Sequence, residues 1–404
     1  MQNMPCSHFS ADFFRFVREN ADTDPTTLRL RLHGKNLPFD SDFAILQIEC
    51  RRKCRKKIPR FLRYEKFLFP SATASEQASH EAVALFHSSL AGPGDSVIDM
   101  TAGLGIDAMT LAGEAHTVTA CEKDELKARI LKMNIDTMNI RNMEVVNTDS
   151  IQWLAECGAK ADIIFIDPAR RDSDNRRVYD LRDCQPDILS CIDLLVSRCG
   201  RLIVKASPLL DITKTLSDLP QTSAIRAVSV NGECKEVLVE AQGCMDSHAE
   251  LLMEAINLHE NGEIISRLSF RKGEEADATY ADIADLAPGS WLYEPDASVM
   301  KLSPWGVIAK KFPGIRKLDI SSHLFVADRL MPDFPGRVTQ ITAIPDRHDL
   351  KRMKGEHANV VMRNYPLKAE DLRKRLHLKE GKDRFVYGTR IQGQPVIIDS
   401  RRLT

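Results

Sequence analysis

Long apolar runs are missing from this chain. No stretch of its 404 residues approaches the ~20 consecutive apolar residues of a membrane span, which excludes a spanning helix. The N-terminus, MQNMPCSHFSADFFRFVREN, lacks a charged segment followed by an apolar core and so reads against a secretory leader. Paired cysteines are missing too. The ten cysteines form no CxxC, and Cys50 and Cys54, the nearest couple, have no neighbours that complete a zinc set. No metal is expected, and scattered thiols of this kind suit the reducing cytosol, so a cytoplasmic location is expected. Charge of one sign is also lacking. With 56 Lys/Arg against 57 Asp/Glu the net charge is −1, so any attraction to nucleic acid has to come from a local patch.

What is present is a change of texture along the chain. Its length and 43% hydrophobic content support several domains. Residues 1–75 read as helical and then basic. Within 76–245, the segments SVIDM, HTVTACE, MEVVNTD, ADIIFID, GRLIVKAS, AIRAVSV and KEVLVEA read as seven strands. Helical stretches such as DELKARILKMNIDTMN separate the first five, which implies a parallel sheet covered on both faces. Only NGEC separates the last two, too short for a crossover, so they form an antiparallel hairpin. Residues 246–320 are mixed and rich in turn residues. Residues 321–404 read as strand, helix and a hairpin through Gln392-Gly393. The expected fold is α/β: a doubly wound, Rossmann-like seven-stranded sheet ending in a reversed hairpin, a helical N-terminal segment and a small α+β C-terminal region.

The first strand runs into VIDMTAGLGIDAMTLA. Gly103 and Gly105, with Thr101 in the same turn, let the backbone pass close beneath a ligand, and the helix that follows offers free N–H donors. GLGIDA also fits the dinucleotide pattern GxGxxA, but Asp99 closes the strand four residues before the first glycine. A carboxylate there suits a cationic amino-acid moiety better than a pyrophosphate. Glu122 ends the second strand, where an acid can accept both ribose hydroxyls, Asp149 follows the third and Asp167 follows the fourth. Each acid alone is explained as a solvated strand end, or, for Asp149 before SIQWLA, as a helix cap. Four consecutive strands ending in acids, at the edge where such sheets bind ligands, form a constellation.

These residues resemble a class I S-adenosylmethionine-dependent methyltransferase over residues 76–242, reversed hairpin included. The resemblance implies S-adenosylmethionine as cofactor, with Asp99, Thr101, Gly103 and Gly105 at its methionine end, Glu122 at the ribose and Asp149 at the adenine. EQASHEAVALF lies where the family often has a helix leading into that site. VVMRNYPLKAEDLRKRL and FVYGTRI resemble the THUMP-like domain of bacterial RNA methyltransferases, preceded by a small ferredoxin-like segment.

In such a fold the end of the fourth strand, IDPARR, faces the acceptor. A plain reading exists, since Asp-Pro is a common strand-to-turn signal. The resemblance instead makes Asp167 and Pro168 catalytic. DPAR is similar to the (D/N)PP(Y/F/W) of amino-group methyltransferases, where the side chain accepts from an NH₂ and aligns its lone pair. The aromatic is absent, and Arg170 could supply its plane on a base or hold a phosphate. DPAR also resembles the DPPR of uridine carbon-5 methyltransferases, but those need a cysteine after the fifth strand, where this chain has Ala206 and Ser207. A ribose 2′-O-methyltransferase tetrad is matched in three places by Asp167, Lys205 and Glu236, with Ser79 and His80 where its first lysine is expected. A different class altogether is a non-catalytic RNA-binding protein on a degenerate fold, which would not bind the cofactor.

The segment CRRKCRKKIPRFLRYEKF carries nine Lys/Arg against Glu65. Most charge runs are solvated helix faces. Here one sign prevails and Phe61, Tyr64, Phe67 and Phe69 interleave, so Arg51, Arg52, Lys53, Arg55, Lys56, Lys57 and Arg60 are expected to contact RNA, a tRNA or an rRNA.

Overall fold

The apolar runs between Ser96 and Ala241 form strands because each is flanked by turn or capping residues. In the computed structural model, which describes residues 9–170, 180–243, 250–274 and 277–402, they are β1 (Ser96–Asp99), β2 (Thr117–Glu122), β3 (Met143–Asn147), β4 (Ala161–Ile166), β5 (Cys199–Ala206), β6 (Thr222–Val230) and β7 (Glu233–Ala241). β1 pairs in parallel with β2 and β4, β2 with β3, and β4 with β5. β7 pairs antiparallel to β5, and the β6–β7 turn has the left-handed Asn231 (φ 53°) and Gly232 (φ 75°) that a tight hairpin requires.

The sheet is larger than the sequence suggests. Two further strands, β8 (Leu252–Leu258) and β9 (Ile264–Arg271), extend it to nine in the order β9-β8-β6-β7-β5-β4-β1-β2-β3. Polar residues inside β8 break its hydrophobic pattern and hide it. Glu254 is buried with Arg226 (2.8 Å) and Arg267 (2.8 Å), and Asn257 sits with Ser229 at 3.0 Å.

Register places the site. Asp99 of β1 stands beside Phe165 of β4, and Val204 of β5 beside Ile166, so Asp167 and Lys205 emerge level at the carboxyl edge. Because β7 runs the other way, its first residues reach that edge, and Glu236 arrives there next to the Ala206–Val237 pair. Gly105 (φ 85°) starts the helix Ile106–Leu111, and a Cβ on it would lie 2.2 Å from Leu131, which leaves room for glycine alone.

Contacts group the chain into two compact units. One holds residues to Ile225 with Lys235–Ala249 and Leu258–Glu263; the other holds Arg226–Cys234, Glu250–Asn257 and Ile264–Thr404. The N-terminal helices Ala11–Glu19, Pro25–Leu32 and Ser41–Cys54 close around Phe13, Leu28, Phe43 and Ile48. The second unit carries a seven-stranded sheet, larger than the small region expected. Its order is Arg316–Lys317, Phe325–Ala327, Trp291–Pro295, Gly336–Ala343, Gln394–Arg401, Arg384–Ile391 and Asn359–Met362. Only the last pair is parallel among those described, and Leu292, Val326, Tyr387 and Ile398 fill its core. The tail forms the expected strand, helix (Ala369–Arg375) and hairpin, turning at Gln392 (φ 48°) and Gly393 (φ 76°).

Candidate active site

The glycine turn is tied to its neighbours through backbone amides. Gly103 N–H donates to Glu122 Oε2 (2.9 Å), and Asp124 N–H donates to the other oxygen of Glu122 (2.8 Å). Thr101 Oγ1 accepts from the Asp167 amide at 2.7 Å, which fastens the β1 turn to the end of β4. Asp99 is 1% exposed and accepts from Thr101 N–H at 2.9 Å; burial pushes its carboxyl up to about 8. Its carboxylate shapes the turn that would receive the methionine end. Asp149 caps the helix Ser150–Cys157 and pairs with Lys123 at 2.9 Å, so the plainer reading of it is realised. It also lines a cavity of about 510 Å³ with Ile151, Gln185, Pro186, Asp187 and Ser190.

This donor set fits S-adenosylmethionine. Gly103 carries nothing that blocks approach, since a Cβ there would meet only the Thr101 carbonyl at 3.8 Å. Glu122 would hold the ribose diol with lone pairs its two amide donors leave over, and Asp149, at the cavity, would meet the base.

Behind Asp167 lies a buried chain of charges from four elements. Lys205 Nζ donates to Asp167 Oδ2 (2.6 Å) and Ser79 Oγ (2.8 Å), and lies 3.8 Å from Asp107 Oδ2. Ser79 donates in turn to Asp107 Oδ2. Asp107 Oδ1 meets His87 Nδ1 at 2.8 Å, and His87 Nε2 is hydrogen-bonded to Glu236. The side chains are 37% exposed at Asp167, 13% at Lys205, 11% at Asp107, 3% at Glu236 and 0% at His87, so the chain opens to solvent at Asp167. Burial alone would strip the Lys205 ammonium, but Asp167, Asp107 and Glu236 outweigh it and raise its pKa well above the ordinary lysine value. Burial likewise opposes charge on His87, and Glu236 and Asp107 overcome it to hold the ring at about 10. Burial raises the Asp167 carboxyl, with Lys205 pulling the other way. His87 and Asp107 are site residues that the sequence reading missed; their signal is a polar residue inside apolar helical stretches, EAVALFHS and IDAMTL, whereas Ser79 stands in the loop before the first of these, where the tetrad's first lysine is expected.

The signs of two of these shifts agree. The His87 proton stabilises the native state fully below the unfolded value near 6.5, and that stability is lost as pH rises through about 10. Asp99 in the native state keeps its proton to about 8 against 3.8 when unfolded, so stability also falls with rising pH in that window. The thermal unfolding midpoint is therefore expected to drop between pH 6.5 and 9. A flat or rising midpoint by calorimetry would contradict the doubly bound imidazolium.

Two expectations need correction. Phe61, Phe67 and Phe69 are buried and pack against one another, tilted or edge-on, rather than standing free for bases; of the four aromatics only Tyr64 is exposed. Arg51 is a structural tie, donating to the carbonyls of Tyr64 (3.0 Å), Glu65 (2.7 Å) and Phe67 (2.8 Å), and Lys57 holds Ser75 (3.2 Å) and Glu76 (2.6 Å) in the same way. Arg52, Lys53, Arg55, Lys56 and Arg60 remain exposed, with Arg55 paired to Asp22, Lys53 to Glu49 and Glu76, and Arg52 to the Thr23 carbonyl. Pro168 is half-buried after Asp167, and Ala169–Arg170 forms a short ladder with Cys184–Gln185. The Arg170 side chain lies outside the described residues, as does Arg171. Among the described residues no cluster could hold a metal ion, and no helix is long and apolar enough to cross a membrane.

Three segments of the chain match known families. Residues 71–176 match the family described as "Putative SAM-dependent methyltransferase", residues 291–335 a "ferredoxin-like domain" and residues 340–402 a "THUMP domain-like" family. A crystal structure of a "putative methyltransferase from Porphyromonas gingivalis W83" shares the fold over 97% of this chain and 98% of its own, with a TM-score of 0.85 and 27% identity. Ribosomal RNA small subunit methyltransferase J of Rhodopseudomonas palustris is 28% identical over 138 residues, covering 29% of this chain and 63% of that protein. An uncharacterized RNA methyltransferase of Enterococcus faecalis is 26% identical over 140 residues, 33% of this chain and 31% of its own. The chain thus spans between 31% and 63% of the length of these two curated relatives. With the glycine turn, the acidic strand ends and the tail in place, the chain belongs to the S-adenosylmethionine-dependent methyltransferase family and carries a THUMP-like C-terminal domain.

Proposed function

We propose that this protein transfers a methyl group from S-adenosylmethionine to an amino group of a base in structured RNA, ribosomal or transfer. The observation that carries the reading is Asp167: a half-exposed carboxylate, level with the glycine turn, anchored through its amide to Thr101 and through one oxygen to Lys205. S-adenosylmethionine, when bound, supplies a methyl on a cationic sulfur. Asp167 would accept from the acceptor NH₂ and turn the nitrogen lone pair toward that methyl. The new C–N bond forms as the C–S bond breaks, and the nitrogen then sheds a proton. This is catalysis by alignment, for which proximity and orientation supply the rate. RNA as substrate is supported by the relatives' names and by the THUMP-like domain. Exposed ion pairs are worth only about 0–1 kcal/mol, so Arg52, Arg55, Lys56 and Arg60 stay able to exchange their partners for phosphates.

Ribose 2′-O-methylation has one observation in its favour, since Asp167, Lys205 and Glu236 do fall in one cluster, although Ser79 stands where the tetrad has its other lysine. A lysine that helps deprotonate a hydroxyl needs a lowered pKa, whereas three carboxylates raise that of Lys205. The amino group is the better acceptor for this site. Nucleoside mass spectrometry of RNA from a deletion strain tests the choice: a missing base-methylated nucleoside supports it, and a missing 2′-O-methyl nucleoside reverses it.

Glu122→Ala removes a charged acceptor worth about 1.5–3 kcal/mol, so affinity for S-adenosylmethionine is expected to fall about 10- to 150-fold with the fold retained. Isothermal calorimetry reads this directly. Unchanged affinity would reduce Glu122 to a tie for the glycine turn.

A further inference from the structure

The polar chain behind Asp167 holds more charge than the proposed reaction uses. Asp107 and Glu236 are 11% and 3% exposed, and His87 is fully buried between them with its ring 5.1 Å from that of Phe165. An ionised carboxylate only accepts hydrogen bonds, so a ring with a carboxylate on each nitrogen carries two protons and a positive charge. The cluster then has three carboxylates (Asp107, Asp167, Glu236) against two cations (His87, Lys205). Lys205 has two competing places: Asp167 at 2.6 Å and Asp107 at 3.8 Å. With His87 neutralising Asp107 from its far side, Asp167 is the better partner. Without it, Asp107 and Glu236 would draw the ammonium inward.

We propose that His87 is a positioning residue for methyl transfer: by engaging both Asp107 and Glu236 it leaves Lys205 committed to Asp167, and so fixes the carboxylate that receives the acceptor. Ser79 completes the arrangement, linking Lys205 Nζ to Asp107 through its hydroxyl. This deepens the proposed function and rests on Asp167 facing the acceptor. Nothing in the arrangement requires His87 to touch RNA or cofactor.

The test uses the full-length protein with ¹⁵N-labelled histidine and the variants H87Q and H87Q/E236Q. Glutamine can still make two hydrogen bonds but cannot carry charge, and the second substitution removes the negative charge then in surplus. The His87 ring, assigned by its loss in H87Q, is expected to stay doubly protonated from pH 6 to 9. Single-turnover transfer to total RNA from a deletion strain should fall about tenfold in H87Q with cofactor affinity unchanged, and H87Q/E236Q should recover to within about threefold of the unaltered protein. A ring that is neutral at pH 8 overturns the proposal. So does a loss of rate and cofactor affinity together that the second substitution fails to restore, since a merely structural role predicts that result. If the unaltered protein methylates no RNA, the functional reading fails separately. The ring's protonation and a crystal structure of H87Q then still decide: Lys205 moved onto Asp107 supports the positioning role, and Lys205 unmoved on Asp167 ends it.

Discussion

Asp167→Ala is expected to lower single-turnover methyl transfer about 100- to 1,000-fold, the range seen when one aligned hydrogen-bonding group is removed from a reacting centre. Affinity for S-adenosylmethionine should hold. The backbone amide that donates to Thr101 survives the substitution, so the β1 turn keeps its tie to β4. Lys205 keeps Ser79 and gains on Asp107, which preserves the fold. Asp167→Asn separates the two acceptor classes. Its amide oxygen still accepts from an NH₂, so partial activity is expected for an amino acceptor. A ribose acceptor would need the carboxylate charge, and Asn would then be as inactive as Ala. Full activity in Asp167→Ala would reduce IDPARR to a strand that ends in a turn.

Lys205→Ala should have the largest effect on stability. It takes the ammonium away from Asp167 and Asp107, and His87 stays hydrogen-bonded to Asp107 and Glu236. Removing one partner of a buried ion pair costs 3–5 kcal/mol in general, and the exposure of Asp167 places this case at about 3 kcal/mol. In a domain this size that lowers Tm by about 6–12 °C. The deficit should narrow at pH 5 and below, because Asp167, whose carboxyl burial already raises, takes a proton once Lys205 no longer opposes it. Thermal melts at pH 5 and pH 7.5 check both statements. Equal melting of variant and unaltered protein at both pH values would mean that solvent, not Lys205, compensates these acids. In the transfer assay the variant should retain more activity than Asp167→Ala, because the accepting carboxylate is still present.

Much of the central sheet could be read from the sequence, because its strands are short apolar runs bounded by glycine, proline or capping aspartate. The acids at their ends were legible for the same reason: they stand where hydrophobicity stops. The chain from Asp167 to Glu236 was only half legible. Lys205 and Glu236 lie on strands whose register could be inferred, but His87 and Glu236 are 149 residues apart, and only the reversal of β7 brings them into contact. β8 escaped notice because Glu254 and Asn257 interrupt its pattern, and their partners lie on β6 and β9. The basic segment shows the opposite error. Its nine like charges looked opposed by Glu65 alone, yet Asp22 from the turn before the second helix, Glu49 from one turn earlier on the same helix and Glu76 from the helix Ala72–Gln77 meet several of them.

Gly105 bears on how mutants of this turn are to be interpreted. Its bare Cα faces Leu131, on the helix Glu125–Thr137 that follows β2, at a spacing no methyl group can share. A substitution there would weaken ligand binding, and the assay would credit the glycine with a ligand contact. The cause would lie on the other side of the backbone, in a leucine displaced from the hydrophobic interior. Gly103 has open space above it but a left-handed backbone (φ 57°), so a defect there reports on the conformation of the turn itself and one at Gly105 also on the core behind it.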